Sequence, residues 1–76
     1  MDFDEDIDAA GLLCPLPVLK LRKRLQGMAP GAVARLRADD PAARIDVPHF
    51  CNEAGHELIS VTSEAQDRLF YVRKLR

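Results

Sequence analysis

The sequence predicts an α+β domain of order βαβαββ, in which a mixed four-stranded sheet carries two helices on one face. Three observations carry this. Val18, Leu21, Leu25 and Met28 recur at helical spacing through residues 15–26, with Lys20, Arg22, Lys23, Arg24 and Gln26 on the remaining faces. Residues 32–38 alternate strictly, setting Ala32, Ala34, Leu36 and Ala38 on one side and Val33, Arg35 and Arg37 on the other, as a strand with one solvated face does. Residues 56–63 and 68–74, rich in β-branched and aromatic side chains, flank the polar link Glu64-Ala65-Gln66-Asp67 and read as an antiparallel hairpin.

Taken in order, residues 1–7 read as a flexible acidic tail and 8–76 as one domain, with a short strand at 6–10 built on Ile7 and Ala9. Gly11 supplies the positive φ of a tight turn into the first helix. Pro15 fits the first helical position and Pro17 still lies in the first turn, where a missing N–H has no partner to lose. The helix therefore opens at Cys14. Gly27 and the run Met28-Ala29-Pro30-Gly31 end it and reverse the chain into the second strand. A strand, helix and parallel strand joined in this way form a right-handed crossover, which places Cys14 beyond the C-terminal end of the first strand. Asp39-Asp40-Pro41 reads as the next helix start. Pro48 lacks the N–H that would bond back to Arg44, so a short turn at 42–46 and a separate segment at 48–54 are expected, capped by Gly55. Phe50 is the expected core anchor there, with Cys51 packed beside it.

A chain of 76 residues has only a modest core, too small to enclose a large substrate, so chemistry belongs on its surface. With 47% hydrophobic and 30% charged residues the composition is globular, and no apolar run reaches the roughly 18 residues of a membrane span. The acidic start does not resemble a secretory signal, and two cysteines are most simply free thiols in a reducing cytoplasm. The net charge of −1 is uneven. Five acids fall in the first eight residues, leaving eleven bases against seven acids, a net +4, in residues 9–76. This mildly basic body suits an acidic partner.

The chemistry centres on Cys14-Pro15-Leu16-Pro17. A thiol at the mouth of a helix, facing free N–H groups and the positive end of the dipole, is biased towards the nucleophilic thiolate. The competing reading is a small cysteine packed and inert. No glycine-rich phosphate loop, Ser-His-Asp arrangement or Cys-x-x-Cys pair accompanies it. Cys14, Cys51, His49 and His56 are ligand types that suit zinc, but their spacing matches no paired-ligand pattern and no metal is assigned. Asp39 and Asp40 read as a helix cap before they read as acid–base groups.

The segment Asp8-Ala9-Ala10-Gly11-Leu12-Leu13-Cys14-Pro15-Leu16-Pro17 resembles the Asp-Ala-x-Gly-Leu-x-Cys-Pro-x-Pro signature of the TusA/SirA-like sulfur-carrier family. Asp39-Asp40-Pro41, Gly55-His56-Glu57-Leu58 and Tyr71-Val72-Arg73-Lys74 resemble its later landmarks, so the likeness runs over residues 8–75. It implies a two-layer α/β sandwich and a sulfurtransferase that holds sulfane sulfur as a transient persulfide on Cys14, without other cofactor. Gly11, Pro15 and Pro17 would support the motif. A cysteine desulfurase or rhodanese-like donor would load it, a downstream acceptor protein would unload it, and neither membrane nor nucleic acid would be bound directly. Lys20, Arg22, Lys23 and Arg24 are the candidate docking surface. Members assigned to tRNA thiolation commonly carry Glu between the two prolines, where this chain has Leu16. Sulfur oxidation, molybdenum-cofactor synthesis and selenium handling are the other branches. A non-catalytic regulatory module, or nucleic-acid binding by the basic helix with Arg35 and Arg37, is the alternative. One Tyr, three Phe and no Trp offer little stacking platform for the latter.

Overall fold

The pairing of the strands fixes where both helices begin. In the computed structural model, which describes residues 2–76, the elements are β1 (Glu5–Asp8), α1 (Leu16–Gln26), β2 (Val33–Ala38), α2 (Ala43–Ala54), β3 (Glu57–Glu64) and β4 (Asp67–Arg73). They form one mixed sheet of order β1-β2-β4-β3, with β1 parallel to β2 and β4 antiparallel to both β2 and β3. Thus β1, β2 and β3 point one way. Each helix returns the chain from the end of one of these strands to the start of the next, so α1 and α2 run alongside each other in the same sense. Their N-termini share the sheet edge at the C-terminal ends of β1 and β2.

The expected βαβαββ order and the placing of both helices on one face are what the structure has. Ile7, Ala9, Ala34, Leu36, Ala38, Phe70 and Val72 of the sheet meet Leu21 and Leu25 of α1 and Ala43, Val47 and Cys51 of α2 in one buried cluster. The alternation in β2 explains this, because side chains at every second position share a face. On the opposite face Arg35 and Arg37 do not stand free. Arg35 is paired with Asp6 at 2.8 Å, and Arg37 with Asp67 at 2.7 Å and Glu64 at 3.3 Å. These pairs remove the open cationic surface that nucleic-acid binding through Arg35 and Arg37 would use.

Three expectations are corrected. The acidic tail at 1–7 is joined to the sheet: β1 starts at Glu5, Asp4 donates its N–H to the Val33 carbonyl at 2.7 Å, and the Phe3 ring lies 4.1 Å under the Arg35 guanidinium. Met1 lies outside the described residues. The strand expected at 6–10 runs instead over Glu5–Asp8, and its acids Glu5 and Asp6 pair with Arg24 of α1 and Arg35 of β2. Helix α2 is continuous through Pro48 instead of two pieces. Ala43, Val47 and Cys51, four residues apart, form one buried stripe that holds both halves on the sheet and outweighs the missing N–H. Finally, α1 begins at Leu16, with Pro15 as its N-cap and Pro17 in its first turn. Gly55 caps α2 in the left-handed conformation, as expected.

Candidate functional site

Cys14 is exposed in the loop between β1 and α1, and the loop is held from the start of the second crossover. Gly11, at φ +82°, gives its N–H to both carboxylate oxygens of Asp39 at 3.0 and 3.1 Å. Cys14 gives its N–H to Asp40 Oδ2 at 2.6 Å, while Asp40 Oδ1 accepts from Ala42 at 3.2 Å. Asp39-Asp40 is therefore a clamp on the thiol loop as well as a turn before α2. Sequence spacing hid this second role, because an acid pair before a helix is already explained as a cap. The two segments meet because both helices start at one sheet edge. The Cys14–Pro15 peptide is cis.

The electrostatics of the thiol differ from the expected thiolate bias. The Asp46 carboxylate accepts a hydrogen bond from the thiol and raises its pKa, with desolvation and the charges of Asp46 and Asp40 acting in the same direction. The compensating N–H groups are few. Pro15 and Pro17 have none, and Leu16 gives its N–H to the Leu13 carbonyl at 2.8 Å. The resting group is thus a thiol whose proton faces a carboxylate. Asp46 was not singled out from the sequence, where it sits in an unremarkable polar position; only the approach of α2 to α1 reveals it. Asp46→Asn is expected to lower the Cys14 pKa and speed its alkylation by iodoacetamide at neutral pH. A slower reaction, or one unchanged across a pH titration, contradicts the role given to this carboxylate.

Cys14, Pro15 and Val18 face Asp46, His49, Phe50 and Glu53 across an open recess of about 310 Å³ between the helices. Phe50 is half-buried, lining this recess as well as packing on the core. Leu13 and Leu16, on either side of the Cys-Pro step, are 69% and 49% exposed, and Ile45 beside Asp46 is 75% exposed. The thiol therefore has an apolar rim. Cys51 is far less available: it is 2% exposed, and burial pushes its thiol up to about 11. Among the described residues no cluster of three His, Cys, Asp or Glu side chains is placed to hold a metal.

The four bases of α1 divide into two pairs. Lys20 donates to the Asp8 carbonyl and Arg24 is paired with Glu5, so both brace the helix against β1. Arg22 and Lys23 are exposed and have no ion-pair partner among the described residues. Of the four bases expected to form a docking surface, only Arg22 and Lys23 are thus left without an ion pair or a bond to β1 among the described residues.

The profile of the family described as sulfurtransferase TusA matches residues 5–74. The chain is 42% identical over 71 residues to the sulfur carrier protein TusA of Pseudomonas paraeruginosa, covering 93% of this chain and 90% of that protein. It is 44% identical over 71 residues to the protein of the same name from Pseudomonas entomophila, covering 93% and 89%. In fold it is similar to the crystal structure of a SirA-like protein from Desulfitobacterium hafniense, with a TM-score of 0.83, 20% identity, and coverage of 96% of this chain and all of that one.

Proposed function

The chain belongs to the TusA family of sulfur carriers, and from that premise we propose that Cys14 is the residue on which it carries sulfur, as a persulfide. The observation that supports this most is the position of Cys14: exposed, fixed through its own N–H by Asp40, and opening on a recess shared by the two helices. Gly11 and the two prolines hold that loop in place; Lys20 and Arg24 secure the helix behind it.

Loading proceeds by sulfur exchange between proteins. The Cys14 sulfur, giving its proton to Asp46, attacks the terminal sulfur of a donor cysteine persulfide. A new S–S bond forms on Cys14, the donor's S–S bond breaks, and the donor cysteine leaves with the electron pair and takes up a proton. Unloading is the same exchange with an acceptor cysteine as nucleophile. No net oxidation occurs. In unloading the Cys14 sulfur is the leaving group: it keeps the electron pair of the broken S–S bond and takes back a proton beside Asp46. The donor we infer is a cysteine desulfurase or a rhodanese-like protein, and the compartment the reducing cytoplasm, where both thiols stay free. Among the described residues no helix is long and apolar enough to cross a membrane. Leu16 in place of the Glu common in tRNA-thiolating members favours a different acceptor, one whose surface around the reacting cysteine is apolar.

Incubation with a cysteine desulfurase and cysteine should add the mass of one sulfur atom to the protein. Dithiothreitol should remove it. A protein that gains no sulfur under conditions where the desulfurase forms its own persulfide would sink the proposal.

A further inference from the structure

A recess of about 350 Å³ lies where the C-terminal half of α1, the end of α2 and the segment after β4 converge. Arg22, His56, Lys74 and Arg76 line it, Leu25 and Phe50 supply apolar wall, and no Asp or Glu takes part. None of Arg22, Lys74 and Arg76 has an ion-pair partner among the described residues. Lys74 is tethered by its donation to the Met28 carbonyl at 2.6 Å, and Arg76 lies against Gly55. The acids that flank this part of the chain are engaged elsewhere. Glu53 lines the recess at Cys14, 3.9 Å from His49, and Glu57 is paired with Arg73 at 2.9 Å. His56 registers the positive field: burial first, then the charges of Lys74 and Arg76, disfavour its protonated form. Its Nδ1 accepts the Leu75 N–H at 3.2 Å, so in the neutral ring Nε2 carries the proton and is a donor. The ring packs on Phe50 with centroids 6.0 Å apart.

We propose that this recess is a binding site for a small phosphate monoester that carries a flat ring, a nucleoside monophosphate being the simplest case. Three cations without a counter-charge call for more than one negative charge, and a phosphate monoester brings about −1.5 to −2 at neutral pH, where a lone carboxylate brings one. Its three free oxygens can also meet several donors at once, and two guanidinium forks beside an ammonium are the donor types that hold such a group. The apolar part of the recess sets the other half of the ligand. A bare phosphate would leave Leu25 and Phe50 uncovered, whereas a ring laid on Phe50 buries them. A recess of this size falls at the lower end of the range for small-molecule sites. The site uses no part of the Cys14 chemistry.

The test is an NMR titration of the full chain, at constant ionic strength, with adenosine 5′-monophosphate, adenosine and inorganic phosphate. The monophosphate should move the backbone amides of Leu75 and Arg76 and the ring signals of His56, and should bind about tenfold more tightly than either adenosine or phosphate alone. A bound dianion offsets the charges of Lys74 and Arg76, so the His56 ring should titrate at a higher pH with the ligand than without it. Arg22→Gln/Arg76→Gln changes two exposed side chains and should weaken binding about tenfold while the remaining amide signals stay in place. Cys14→Ser should bind as wild type does, which keeps this result separate from sulfur uptake. The proposal is overturned if no signal moves at millimolar ligand, if adenosine or inorganic phosphate binds as tightly as the monophosphate, or if the double variant binds unchanged. An Asp-Glu-Asp peptide that moves the same signals at lower concentration than the monophosphate would overturn it too, and would assign the recess to an acidic protein surface.

Discussion

Cys14→Ser is expected to reduce sulfur uptake to zero while leaving the fold intact. Serine retains the backbone N–H that donates to Asp40 at 2.6 Å, and the side chain it replaces is exposed, so neither loop nor core is disturbed. What is lost is the nucleophile. A hydroxyl is a poor attacking group for sulfane sulfur, and the loss cannot be covered by Cys51, which is 2% exposed and whose thiol burial pushes up to about 11. The complementary variant, Cys51→Ser, should still load one sulfur, with a small loss of stability from a polar group placed in the core. Intact-protein mass after treatment with a desulfurase separates the cases. Equal uptake by Cys14→Ser would move the carrier site elsewhere.

The largest effect on stability is expected from Phe70→Ala. Phe70 is the largest fully buried side chain, 1% exposed, at the centre of β4 where the sheet meets the helices. Truncating a buried phenylalanine costs about 3–5 kcal/mol, from lost transfer energy and the cavity left behind. A domain of this size has a total of roughly 4 to 11 kcal/mol. The variant should therefore melt more than roughly 10 °C below wild type, and part of the population should be unfolded at ambient temperature. A drop of only a few degrees would mean that the core collapses around the gap. Because the same core holds α1 against the sheet, sulfur uptake should fall with the folded fraction and no faster.

These two residues were legible in the sequence to different degrees. Cys14 stood out through Cys-Pro-x-Pro, a local pattern that survives any tertiary arrangement. Phe70 was seen only as one member of an apolar hairpin, and its rank in the core needed the packing of both helices on its face. The element order was readable because periods of two and of three to four residues are imposed by the backbone itself. The first strand was readable at 6–10 from Ile7 and Ala9, but its start was harder: the acids up to Asp6 looked like a solvated tail, although Glu5 and Asp6 pair with Arg24 and Arg35, nineteen and twenty-nine residues away. Pro48 misled in the opposite direction, since a rule about one hydrogen bond was weighed without the buried stripe on either side of it.

The sequence by itself determined the βαβαββ order, the face that β2 buries, and the thiol at the start of the first helix, because each is encoded within about ten consecutive residues. Only the tertiary structure decided the environment of that thiol. Asp39, Asp40 and Asp46 lie between twenty-five and thirty-two residues from Cys14 along the chain, and they surround its loop because two crossovers from parallel strands start their helices at one sheet edge. The same geometry divides the basic helix, giving Lys20 and Arg24 to β1 and leaving Arg22 to line a recess with Phe50, His56 and Lys74. Charge and pKa depend on through-space distance, and that is set by chain crossings that no local pattern contains.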